Sequence, residues 1–314
     1  MTPTGLIDVH AHFVTDAYVD AARSAGIEHP DGMPGWPSWS AERHLALMDD
    51  AGITTSYLSV SSPGVHFGDD RAARALAREV NGFGARVRAE NPDRFGQFAS
   101  LPLPDVEGAL TEAAYALDVL GADGVAVETN HHGLYLGDPL LEPLWEALDR
   151  RGALVFVHPT SAPHADETAL GRPRPMLEFL FDTARAASDL LLRGVFTRHP
   201  RIRWVLTHGG GALPLLADRI DLFRTITGGG DGPGAVEQLG RLWYDMAGTP
   251  FPRQIPALDA AFGTERLLYG SDYCWTPAEA ARAQIASVDA AAPPSATDTW
   301  RDLTTRNAHR LFAV

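Results

Sequence analysis

The stretch Leu6-Ile7-Asp8-Val9-His10-Ala11-His12-Phe13 decides how this chain is read. It is a short apolar run of strand length that ends in two histidines one residue apart. In a strand, side chains two residues apart leave the same side, so His10 and His12 project together. A divalent ion held by neutral imidazoles needs that kind of convergence. His-x-His pairs also arise by chance, so the weight falls on where the other polar strand-end residues lie.

Further apolar runs follow at 54–60, 95–101, 124–130, 154–160, 203–208, 242–247 and 266–272, which with the first makes eight. Between them lie amphipathic stretches at 41–51, 71–89, 106–120, 140–150, 176–198 and 213–223. Strands alternating with helices imply parallel βαβ units. Eight such units in 314 residues match a (β/α)8 TIM barrel, here expected as one domain over 1–314. A doubly wound open sheet is the rival, but the first strand is not followed by the Gly-x-Gly-x-x-Gly turn of its nucleotide-binding version.

In a barrel the chemistry sits at the C-terminal ends of the strands. Those ends carry His10 and His12, then His158 (Val157-His158-Pro159), His208 (Thr207-His208-Gly209) and Asp272 (Gly270-Ser271-Asp272). Any one of them can be a backbone cap or an Asx turn. Four separate runs placing metal-competent or proton-transferring groups on one rim is poorly explained that way.

These residues resemble the amidohydrolase superfamily, and within it the amidohydrolase-2 branch that includes aminocarboxymuconate-semialdehyde decarboxylase and the nonoxidative aromatic acid decarboxylases. The resemblance covers nearly the whole chain. It rests on Ile7–Phe13, Val157-His158-Pro159, His208-Gly209-Gly210-Gly211 with Leu213-Pro214, and Leu268–Tyr273. Other stretches look closest to 6-methylsalicylate decarboxylases: Pro63-Gly64-Val65-His66, Asp93-Arg94-Phe95-Gly96, Leu101–Asp105, Leu136-Gly137-Asp138-Pro139 and Glu178–Thr183. The resemblance implies one divalent metal on His10, His12, His158 and Asp272, with His208 beside it handling protons. It also implies a homo-oligomer, dimer or tetramer.

Composition adds an independent constraint. The chain has no lysine, and all 26 basic residues are arginine. The carboxylated lysine that bridges two metals in many amidohydrolases is therefore excluded, as is Schiff-base chemistry. Glu128 could supply a bridging carboxylate instead, but a hydrogen-bonded strand-end carboxylate is the plainer reading. One ion is expected, zinc first and manganese second, with no organic cofactor.

Candidate substrate contacts are Trp36 and Trp39 in the loop after the first strand, His66, Glu128 and His131 on the rim, and Trp275 after Asp272; aromatic groups there suit a planar substrate. Cover packed over an apolar rim is the competing role for the tryptophans. Asp182 and Asp245 are candidates to orient His208 or the ligands. Gly209–Gly211 would leave room for substrate beside His208, and the glycine-rich stretch 228–234 reads as a flexible loop. A net charge of −14 with dispersed arginines argues against nucleic-acid or anionic-membrane partners. No run is long and apolar enough to span a membrane, and no signal peptide is evident. A single cysteine, Cys274, fits a reducing compartment, so the cytoplasm is expected, with the thiol as a buried packing group.

With that shell, two reactions are open. The metal can polarise a carboxylate and neighbouring hydroxyl for loss of carbon dioxide, with His208 or Asp272 supplying the proton. It can instead ionise a water for attack on a lactone or amide, with the same residues as base. The resemblance favours decarboxylation of a small hydroxylated aromatic acid of the 6-methylsalicylate kind.

Overall fold

A computed structural model describes residues 5–229 and 232–313; Gly230 and Asp231, within the expected glycine-rich loop, lie outside the described residues. Eight parallel strands run in sequential order around a barrel. They are β1 (Leu6–His12), β2 (Ile53–Ser59), β3 (Phe95–Ser100), β4 (Gly124–Glu128), β5 (Leu154–His158), β6 (Arg203–Leu206), β7 (Trp243–Asp245) and β8 (Leu267–Leu268). Every residue of β1, β3, β4 and β5 is buried. That burial on both faces is why these strands read as continuous apolar runs.

The ring closes between its first and last strands. Val9 N–H donates to the Tyr269 carbonyl at 3.0 Å and Asp272 N–H to the His10 carbonyl at 2.7 Å. The buried Asp8 carboxylate reinforces the seam, accepting from Ser271 N–H at 3.0 Å and Ser271 O–H at 2.6 Å. Gly270 belongs here because a Cβ would stand 2.7 Å from His10 Cβ, so the two backbones approach as only glycine allows.

An inner cluster of Ile7, Val9, Phe98, Phe156, Val205 and Leu268 fills the barrel, and a larger shell lies between strands and helices. The C-terminal helix Trp300–Phe312, started by a Thr299/Asp302 capping box, closes the end opposite the strand C-termini. Its Ala308 and Leu311 join the inner cluster, and Phe312 stacks on Tyr57 at 3.9 Å. The expected helix at 176–198 is two, Glu178–Leu192 and Val195–Arg198, broken at Gly194 in the left-handed region (φ 71°). Among the described residues no helix is long and apolar enough to cross a membrane.

Candidate active site

Strict alternation from Ile7 and Val9, which face the barrel interior, would turn His10 and His12 outward. A register irregularity between Asp8 and Ala11 prevents this. Ala11 packs in the outer shell, while His10 stands edge-on to the interior Phe156 at 5.1 Å. A bulge beside a site re-aims side chains in this way.

The five expected strand-end residues converge. The Nε2 atoms of His10 and His12 are 2.9 Å apart, and His12 Nε2 lies 3.2 Å from Asp272 Oδ1. His10, His158, His208 and Asp272 each bring a ligand atom within 4.8 Å of the others. What separates the histidines is the other ring nitrogen. His10 Nδ1 faces Asp245 Oδ2 at 2.8 Å, His12 Nδ1 faces Ser59 Oγ at 3.0 Å, and His158 Nδ1 faces the Pro159 carbonyl at 2.7 Å. Each is held from behind, with Nε2 aimed at the common centre, as metal-ligating imidazoles are. His208 Nδ1 is buried without a partner among the described residues.

Electrostatics match a cation at that centre. Burial alone would raise the Asp272 carboxyl, but His12, His208 and His10 hold it well below its ordinary value. Burial, together with the neighbouring histidines, holds His158 neutral. Burial also lowers His12, whereas for His10 the facing Asp245 and Asp272 outweigh burial and raise it. With the Nε2 atoms of His10 and His12 only 2.9 Å apart and Asp272 beside them, the rings converge where a proton or a cation must sit, and the residues present fit a divalent ion. His208 (φ 53°) and Asp272 (φ 59°) both occupy the left-handed region, a strained backbone for a non-glycine residue.

Above the centre lies a cavity of about 910 Å³, walled by His158, His208, Asp272, Phe179, Leu215 and Trp275. Arg253, in the loop after β7, is the one arginine among its described walls. Trp275 therefore reaches the cavity as expected. Trp36 stands behind it, 5.7 Å ring to ring, with its indole N–H on the Ile27 carbonyl. Trp39 turns the other way: it packs on Phe13 and Phe83 and donates to His44 Nδ1 at 3.0 Å, so its role is packing and not substrate contact.

His66, Glu128 and His131 line a second cavity of about 450 Å³ above β3 and β4. Glu128 is the nearest of them to the centre, its Oε2 3.8 Å from His158 Nδ1. Of the glycines after His208, Gly211 lines the metal-side cavity, but their close contacts are to protein. A Cβ on Gly210 would meet the Tyr244 ring at 2.7 Å, and one on Gly211 the Leu180 carbonyl at 2.2 Å, so they let this turn pack against protein. Asp182 is also elsewhere, on the helix Glu178–Leu192, where it binds Arg185 of the same helix and Tyr135 O–H and Asn130 of the loop after β4. Asp245 carries the orienting role, holding His10 and accepting from His208 N–H at 2.9 Å. Cys274 is buried beside Leu47 and Ala281. Ser59 and Arg253 were not singled out from sequence; Ser59 ends β2 on the same rim, which was its available signal.

Comparison with known proteins adds to this geometry. A family model described as amidohydrolase matches residues 7–314. A decarboxylase of Aspergillus niger, yanB, is 38% identical over 293 residues, covering 86% of this chain and 77% of that protein. The 6-methylsalicylic acid decarboxylase of Penicillium expansum is 36% identical, covering 87% and 86% respectively. A crystal structure described as an amidohydrolase II superposes with a TM-score of 0.92 at 34% identity, covering 99% of this chain and 100% of the other.

Proposed function

The chain belongs to the amidohydrolase family, and from that premise we propose that it is a metal-dependent nonoxidative decarboxylase of a small ortho-hydroxylated aromatic acid of the 6-methylsalicylate type. The observation that carries the reading is the contrast among four convergent histidines: three tied back through Nδ1, one with Nδ1 free. The similar decarboxylases supply the reaction class.

His10, His12, His158 and Asp272 would hold a single divalent ion, zinc before manganese, since no lysine is present to bridge two. When bound, the ion polarises the substrate's carboxylate and adjacent hydroxyl oxygens. His208, with one nitrogen toward the centre and the other unbound, delivers a proton to the ring carbon that bears the carboxylate. The carbon–carbon bond then breaks, its electron pair restores the aromatic ring, and carbon dioxide leaves. Asp245 fixes His208 through its backbone N–H and His10 through its ring, so one carboxylate aligns proton donor and ligand. Phe179, Leu215 and Trp275 offer apolar surface to a planar ring. The single cysteine suits a reducing compartment and so favours the cytoplasm.

Turnover of 6-methylsalicylate by metal-replete enzyme in deuterium oxide tests this. The phenolic product should carry deuterium at the carbon that lost its carboxylate, with one carbon dioxide released per turnover. Silence on hydroxybenzoates, together with incorporation of solvent oxygen from a lactone or amide, would replace the decarboxylase by a hydrolase.

A further inference from the structure

The second cavity is used by nothing in the reaction above. Its walls come from the loop after β2 (Val65, His66), the ends of β3 and β4 (Leu101, Glu128) and the loops after β4 and β5 (His131, Ala162). It shares no wall residue with the metal-side cavity. Two hydrogen-bonded pairs form the partition: Ser62 with Thr160 at 2.7 Å, and Ser161 O–H donating to Asp31 at 2.6 Å.

Two features define what this chamber accepts. Its described walls hold no arginine, and the chain has no lysine, so nothing permanently cationic is available to an anion. Two polar atoms at its wall, Glu128 Oε2 and His131 Nε2, are buried with no hydrogen-bond partner among the described residues, Glu128 Oε2 facing His158 Nδ1 at 3.8 Å. A buried polar atom left without a hydrogen bond is costly, and a ligand hydroxyl that reaches either of them would supply one. The remaining surface includes Val65, Leu101, Leu103 and Phe67, suited to a small ring.

We propose that this chamber is a second binding site, selective for a neutral hydroxylated aromatic ring against its carboxylated counterpart. Glu128 and His131 engage the hydroxyl, and the apolar walls take the ring. Joined to the decarboxylase reading, on which only this last step rests, the chamber receives the class of the product: loss of carbon dioxide turns an anion into a phenol.

Phenol and benzoate are the probes, followed by ligand-observed NMR on the metal-loaded protein. Phenol should bind protein already saturated with benzoate, its Kd unchanged within about twofold, and without displacing the benzoate. Ala162→Phe, at a half-buried loop position, should plug the chamber, weakening phenol at least tenfold while metal content and benzoate binding stay as in the parent. Glu128→Gln keeps the shape and should weaken phenol binding. Mutual displacement of the two probes, a second equivalent of benzoate, or phenol binding indifferent to Ala162→Phe would each overturn the proposal. If benzoate fails to bind, the carboxylate reading of the metal-side cavity is damaged, and the Ala162→Phe titration with phenol still decides the chamber.

Discussion

On one side of the Ser62–Thr160 and Asp31–Ser161 wall, a cavity carries His158, His208, Asp272 and an arginine, with His10 and His12 converging on the same centre beneath it. On the other, a cavity of half the volume carries a carboxyl, four histidines and no arginine. Both sit on the C-terminal rim of the same barrel, a few ångströms apart across His158 and Glu128. The difference lies in what stands behind each polar group. On the metal side, the ring nitrogens of His10, His12 and His158 that face away from the centre each have a partner, which frees one defined lone pair for the centre. In the other chamber Glu128 Oε2 and His131 Nε2 are simply left over. Convergence with support makes a site for a charged ion, and convergence without it makes one for a neutral hydroxyl.

The sharpest way to break this comparison is to remove one histidine at a time. His158→Ala should lose both bound metal and turnover. His208→Ala should retain about one ion per chain by elemental analysis while turnover falls roughly 10²-fold or more, the scale of a general acid. A metal-free His208→Ala, or two tightly held ions in the parent, would erase the distinction drawn from the Nδ1 partners and bring Glu128 back as a ligand.

A smaller effect belongs to the neutral chamber. Burial, with His132 and His66 adding to it, lowers His131 from 6.5 to about 3. The unfolded chain therefore binds a proton below 6.5 that the folded chain refuses, and stability falls as pH drops from 6.5 towards 3. His131→Gln removes that dependence, flattening the slope by at most about 1.4 kcal/mol per pH unit. Urea midpoints at neutral and mildly acid pH read it, and an unchanged slope would mean that His131 is already charged in the fold.

The smallest expected change is at Arg253. No carboxylate is paired to it among the described residues, and it faces the metal-side cavity. Arg253→Gln should raise KM for an anionic substrate a few-fold with kcat nearly unchanged, the effect shrinking in high salt, since exposed charge pairs contribute about 0.2–1 kcal/mol. Phenol binding in the other chamber should not move. Equal losses for both would dissolve the charge contrast between the cavities.

Much of the metal side was legible in sequence because its residues obey a local rule: each ends an apolar run, and the ends of barrel strands share a rim. His10, His12, His158, His208 and Asp272 all follow from that. The register irregularity that turns His10 and His12 inward does not, because it lies in the pairing of β1 with β2, residues more than 40 positions away. Asp245 was visible as a candidate, but its two bonds, to His10 and to the His208 backbone, are long-range geometry. The second chamber was opaque for a related reason. Most of its walls come from loops, and the partition uses Asp31, held at φ 52° in a turn that periodicity does not describe. Trp39 was misread because a tryptophan beside a rim loop can face either way, and only the packing of Phe13 and Phe83 decides which.

The seam between the first and last strands has one more consequence, which concerns folding and not chemistry. The proposed ligands His10 and Asp272 lie on opposite edges of that seam, as do Asp8 and Ser271. A chain with either end missing can present only part of the ligand set, so tight ion binding must wait until nearly the whole polypeptide has found its register. Contacts of such sequence separation form late and slowly. An ion bound there would act as a clasp on a ring already closed, adding RT ln(1 + [M]/Kd) to the barrel's stability. Chelation should accordingly open the barrel first at the meeting of β1 and β8, where amide exchange would quicken before it does in β4 or β5.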